Sequence, residues 1–143
     1  MSAKKLKTNP LILFIAIVIT VLSASSCARR MTFATSRIAP SAEGSVKIKK
    51  DKNDNYAIQL KVRHLADPKR LDPPRKTYIV WMETRRNGTK NIGNLSTSSG
   101  LFSKTLKSSL NTVSPYKPSG FFITAENAES ITYPNGQVIL RTE

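Results

Sequence analysis

Apolar and polar residues alternate with a period of two through much of this chain after position 44. Val46 and Ile48 alternate with Ser45, Lys47 and Lys49. The turn cluster Asp51-Lys52-Asn53-Asp54-Asn55 follows. Tyr56, Ile58, Leu60 and Val62 then alternate with Ala57, Gln59, Lys61 and Arg63. Period two marks a half-buried strand, and two such runs about a polar turn mark a hairpin. Thr77 to Thr84 is rich in β-formers and apolar on both faces, which predicts a central strand. Asn87-Gly88 predicts a type I′ turn, whose two central residues both need positive φ, leading to a return strand over Thr89 to Leu95 with Ile92 and Leu95 as apolar contacts. Further strands are expected over Phe102 to Leu110, Phe121 to Glu126 and Gln137 to Thr142, although Phe102, Leu106 and Leu110 are also spaced as on a helix. Asp67 to Lys76 contains three prolines and cannot join a central ladder, so it is expected to cross between sheets. About seven short strands separated by turn signals indicate an all-β antiparallel sandwich.

The N-terminus reads differently. Lys4, Lys5 and Lys7 precede an apolar run from Leu11 to Leu22 that only Thr20 interrupts. Ser23-Ala24-Ser25-Ser26 then leads to Cys27, the single cysteine. A basic head, a short apolar stretch and small residues, in that order, make a secretory signal. With a cysteine at the cleavage point the segment resembles a bacterial lipoprotein signal, in which the thiol takes a diacylglyceryl group before the signal is cut. Ala24 stands where that signal usually has leucine, and Leu22 lies two places further back. A retained membrane anchor is the other reading, but the run is short of the roughly 17–25 residues a span needs. Either way the lysine head stays in the cytoplasm and the remainder is exported. The expected layout is a signal peptide or anchor helix over 1–26, a flexible basic tether over 27–43, and the sandwich over 44–143. Thr35 to Gly44 lacks periodicity and is rich in small polar residues, as a tether would be.

Charge adds a second theme. The chain has 23 basic and 9 acidic residues, a net +14. The head lysines account for three of those charges, so the +11 that remains lies on residues 27–143. No Asp or Glu precedes Glu43, so Arg29, Arg30 and Arg37 stand alone in the stretch after the cysteine. Basic residues beside an acyl anchor gain about 1 kcal/mol each from an anionic membrane surface. A pI near 10.3 also raises nucleic acid as a partner. Export and the lack of any basic motif interleaved with aromatics argue against it, and no nucleic acid is expected. Plain solubility is the remaining reading of the charge. Lys47, Lys49, Lys61 and Arg63 fall on the polar side of the first hairpin. They are expected to form one outward face that meets an anionic envelope polymer, head groups or an envelope protein.

Catalytic chemistry has little support. His64 is the only histidine and ends a strand, with neither a second histidine nor a free thiol to complete a metal site. No metal or cofactor is expected. No serine has a nucleophile context. Glu83 and Glu126 would suit a glycosidase pair only if they shared a cleft, which nothing in the sequence indicates. Asp51 and Asp54 lack the spacing of a calcium loop. Trp81 is expected to fill the space between two sheets, with ligand stacking as the alternative. Glu126 is expected to cap a loop by accepting backbone hydrogen bonds. Gly93 is expected at a bulge or a close backbone approach.

Tyr78-Ile79-Val80-Trp81, Asn91-Ile92-Gly93-Asn94-Leu95, Phe122-Ile123-Thr124-Ala125-Glu126 and Pro134-Asn135-Gly136 together resemble, in order and spacing, the extracytoplasmic immunoglobulin-like domain of anti-sigma-K factors. The resemblance is strongest over 77–141 and looser over 44–66. It implies an immunoglobulin-like sandwich. It does not carry over sigma regulation, because only ten residues precede the apolar run here, too few to hold a sigma factor. The expected function is that of a non-enzymatic binding or structural module on the bacterial cell envelope, on its periplasmic or outer-surface side. The alternative is an accessory or sensory part of an anti-sigma-type system with a membrane-embedded partner.

Overall fold

The computed structural model describes residues 9–10, 28–99 and 106–143, with the side chains of 96–99 left aside. The expected signal or anchor helix and Cys27 lie outside the described residues, as does the Phe102 start of the fifth expected strand. Among the described residues no helix is long and apolar enough to cross a membrane.

Among the described residues nine strands form two antiparallel sheets: β1 (Arg29–Thr32), β2 (Glu43–Lys50), β3 (Tyr56–Arg63), β4 (Thr77–Thr84), β5 (Gly88–Asn94), β6 (Ser96–Ser99), β7 (Leu106–Ser114), β8 (Pro118–Glu126) and β9 (Gln137–Arg141). The sheet orders are β1-β2-β3-β7-β6 and β5-β4-β8-β9. The set β2-β3-β7-β6 facing β5-β4-β8-β9 is the immunoglobulin arrangement of strands A-B-E-D against C′-C-F-G. The sandwich expected from the alternation is present. Val46, Ile58, Leu60 and Val62 from one sheet meet Val80, Met82, Phe121 and Ile123 from the other in the main core. The run 68–76 carries one short 3-10 turn (Pro68–Arg70) and makes the expected crossing from β3 to β4.

Residues 28–43 are not a free tether. β1 pairs with β2 from Arg29 opposite Ile48 to Thr32 opposite Ser45, and Met31 is buried. Past Thr32 the chain changes sheets. Phe33 bridges Thr142, and Ala34 N donates to Arg141 O at 2.9 Å. The Ser36 hydroxyl accepts hydrogen bonds from Ile38 N and Ala39 N, and Ala42 is buried. Buried Met31 and Ala42, half-buried Phe33 and two edge pairings hold a segment whose composition alone suggests disorder. The opposite edge is closed in the same way. Leu95 N donates to Tyr78 O at 3.0 Å, and the chain passes there from β5 into β6 of the other sheet.

One turn differs from expectation in detail. The β4–β5 hairpin sits where Asn87-Gly88 placed it, but Thr84 pairs with Gly88 across a three-residue loop of Arg85, Arg86 and Asn87. Only Gly88 takes a positive φ, +66°, the pattern of a three-residue hairpin closed by a left-handed glycine. Thr84 Oγ1 fastens the loop, accepting from Asn87 N at 2.9 Å and donating to Gly88 O at 2.8 Å. Gly93 does mark a bulge. Val80 pairs with Gly93 and Trp81 with Asn91, so Ile92 is the extra residue, and Gly93 has φ +129°.

Tyr78 ties β4 to the crossing beneath which it is buried, donating to Ala66 O at 3.0 Å. Burial first, and the charge of Asp67 second, push its pKa up to about 12. An unfolded tyrosine ionises near 10. From about pH 10 the unfolded chain therefore gives up a proton that the folded chain keeps, so this contribution is fully present below pH 10 and is lost as pH rises toward 12. Tyr78→Phe should lower stability by about 1 kcal/mol at neutral pH through the lost hydrogen bond. Its melting temperature should then decline less steeply than that of the wild type between pH 10 and 12. Equal alkaline slopes in the two proteins would remove Tyr78 as the source.

Candidate functional site

The main surprise of the fold lies on the outside of the four-stranded sheet. Tyr78, Val80 and Met82 point into the space between the sheets. Ile79 and Trp81 therefore point the other way, and form a second buried cluster with Phe122. Trp81 is fully buried, as expected, but not between the sheets. Ile131, from the β8–β9 connection, packs on this cluster from outside. Asn91 Nδ2 donates to Ile131 O at 3.0 Å and helps hold the connection down.

A buried hydrogen-bond chain runs beneath this cover. Trp81 Nε1 donates to Thr124 Oγ1 at 2.8 Å, and Thr124 Oγ1 donates to Glu126 Oε1 at 2.7 Å. The same carboxylate oxygen accepts from Asn135 N at 3.1 Å and Gly136 N at 2.8 Å. Glu126 thus caps the β8–β9 loop as expected, through Oε1. A Cβ at position 136 would lie 1.9 Å from Ala125 O, so only glycine permits this approach. Beyond Phe122 the face continues to Arg141, whose guanidinium lies 4.4 Å from the ring centroid and donates to Glu83 Oε1 at 2.6 Å. Glu83 and Glu126 each have their own partners and share no cleft.

Among the described residues no group of three or more His, Cys, Asp or Glu side chains is placed to hold a metal. His64 is exposed in a left-handed turn, φ +56°, with its backbone N–H donating to Leu106 O. Asp51 organises the β2–β3 turn by accepting from Asn53 N and Asn55 N. Asp54 pairs with Lys50, and that hydrogen bond, reinforced by charge, raises the lysine pKa and lowers that of the aspartate.

Two basic surfaces remain. The first is the expected one. Lys47, Lys49, Lys61 and Arg63 are all exposed, and their register puts them on the outer face of the five-stranded sheet. Arg30, opposite Lys47, and Lys107, opposite Arg63, extend the same face. Glu43, opposite Arg63, is the carboxylate that joins them.

The second was not foreseen. A cleft of about 390 Å³ opens at one pole of the sandwich, lined by Arg29, Arg85, Arg86 and Lys117 with Thr84 and Pro118. Arg29 begins β1, Arg85 and Arg86 lie in the β4–β5 loop, and Lys117 lies between β7 and β8. A shallower hollow adjoins it, sharing Arg29, Lys117 and Pro118 and adding Ile48, Lys50 and Tyr56. No carboxylate lines either one. These cations are scattered along the chain, and only the meeting of one strand end and two connections at one pole brings them together. The one local signal was Arg85-Arg86 directly before a turn.

Comparison of this chain with protein families, curated proteins and solved structures finds no match.

Proposed function

We propose that this chain is a non-enzymatic binding or structural module of the bacterial cell envelope. A lipid on Cys27 holds it to a membrane, and the basic face of its five-stranded sheet meets an anionic envelope polymer. One observation carries the proposal: the strand register gathers Lys47, Lys49, Lys61 and Arg63 on one exposed face, clear of the core. Cations rooted on a rigid sheet keep a fixed backbone spacing, which suits a repeating polyanion better than a compact ligand. The engaged carboxylates and the exposed single histidine support a binding role over catalysis.

Cys27→Ser should leave an unprocessed precursor that takes up no radioactive palmitate, and equal labelling would sink the lipid anchor. Residues 28–143 hold every described strand and both buried clusters. That soluble part should bind immobilised polyglutamate at low salt. It should be released near 0.15 M, where the Debye length has fallen from about 30 Å at 0.01 M to about 8 Å. Replacing the four cations with Gln should abolish capture while leaving the melting temperature unchanged. Capture that survives the replacement would take this face out of the proposal.

A further inference from the structure

We infer that the cationic cleft at the β1 pole docks on the phosphate groups of anionic phospholipids in the membrane that carries the anchor. This docking presupposes the anchor at Cys27 and adds an orientation for the domain. Arg29 lies two residues beyond Cys27, so at most about 7 Å of extended backbone separates them. There is no slack after that, because Arg29 is already paired with Ile48 in the sheet. An anchor at Cys27 therefore presents this pole to the lipid surface rather than letting the domain swing on a long tether.

The chemistry of the pole fits that surface. Arg29, Arg85 and Arg86 each offer a planar guanidinium that donates to phosphate oxygens in pairs, and Lys117 adds a compact charge. Arg85 and Arg86 project from a loop tip fastened by Thr84. Tyr56, Ile48 and Pro118 give the adjoining hollow an apolar and aromatic floor, and tyrosine is favoured at membrane–water interfaces. Of the carboxylates near this pole, Asp54 is held by Lys50, Asp51 by the amides of Asn53 and Asn55, and Glu83, next to Thr84, by Arg141, while the C-terminal Glu143 lies beside Thr32 at the far end of β1. At the opposite pole the β3–β4 connection carries Asp67 and Asp72 among its cations and lacks this bias.

The same orientation separates the two basic surfaces. Glu43 pairs with Arg63 and Lys49 with Ala57. The basic sheet face therefore runs roughly 20 Å along the strands, away from the membrane pole, at about 3.3 Å per residue. It points into the envelope while the cleft meets head groups.

The test compares two variants of residues 28–143 that lose the same charge. One carries Arg29, Arg85, Arg86 and Lys117 replaced by Gln, the other Lys47, Lys49, Lys61 and Arg63 replaced by Gln. Co-sedimentation uses vesicles of phosphatidylglycerol mixed with phosphatidylcholine, against phosphatidylcholine alone. The wild type should bind only the anionic vesicles. The cleft variant should lose at least about tenfold in affinity, since each cation near the surface contributes several-fold, and the sheet-face variant should stay close to wild type. Equal losses would mean that net charge, not the cleft, is responsible, and would overturn the docking. Release of the wild type by millimolar glycerol phosphate at constant ionic strength would overturn it too, by showing a site for free phosphate. Absence of palmitate on Cys27, or polyglutamate capture by the sheet-face variant, would strike the anchored binding module instead and leave the vesicle comparison readable.

Discussion

Trp81→Ala should lower the unfolding free energy by about 3–5 kcal/mol. That is a large part of the roughly 5–15 kcal/mol typical of one domain, so the variant will be marginal at 37 °C. The loss has two sources. The ring is fully buried and stacked on Phe122, with centroids 6.2 Å apart and planes 16° from parallel. Removing it leaves a cavity beneath Ile131 and strips Thr124 Oγ1 of its donor. Trp81→Phe keeps most of the packing and loses only the hydrogen bond, so it should cost closer to 1–2 kcal/mol. Urea denaturation measures both. Because Trp81 is the only tryptophan, its fluorescence reports directly on the cover. Gly136→Ala, which drives a methyl into Ala125 O, should lift the β8–β9 connection and shift the emission to the red. A tryptophan between the sheets would not respond to that change. An unshifted spectrum together with a wild-type melting temperature would show that the connection does not seal this face.

Why the tryptophan was legible as buried but not as outward-facing is instructive. In β2 and β3 the polar residues alternate with the apolar ones, so period two identifies both the strand and its inner face. In β4 residues 77–82 are all buried. Alternation then no longer says which set faces the other sheet. The cover that buries Ile79 and Trp81 contributes one apolar residue, Ile131, in a stretch otherwise exposed from Asn127 to Asn135, too little to announce a packed layer. Glu126 was legible because a carboxylate closing a hydrophobic strand needs donors, and the next turn supplies backbone amides. β6 is Ser-Thr-Ser-Ser and has no apolar signal at all. Its place follows from pairing with β7. The basic hairpin face was legible because its four cations alternate within two adjacent strands. The polar cleft was not, because its cations lie in three separate parts of the chain and meet only through the topology.

The least legible element has the second large consequence. β1 is Arg-Arg-Met-Thr, four residues with one buried side chain. Composition assigns it to a tether, yet it forms the edge of the five-stranded sheet and then bridges to the other sheet at Thr142. A chain beginning at Gly44 should therefore be far less stable than one beginning at Ala28. It loses the buried Met31 and Ala42 and the half-buried Phe33 from the core. A buried methionine alone is worth about 2–5 kcal/mol, and the half-buried aromatic adds to that. The shorter chain also exposes β2 as a new edge, with free N–H and C=O groups where Arg29 to Thr32 had paired, the kind of edge that recruits other chains. Thermal unfolding followed by circular dichroism should show a melting temperature lower by ten degrees or more, since about 1 kcal/mol corresponds to roughly 4–8 °C in a domain of this size. Gel filtration should show association that the longer chain lacks. Met31→Asp in the longer chain should reproduce most of the thermal loss by placing an unpaired charge at the same buried site. Equal melting of the two chain lengths would return residues 28–43 to the role of a slack linker. It would also undercut the proposed membrane orientation of the basic pole, which rests on Arg29, two residues beyond Cys27, being paired in the sheet.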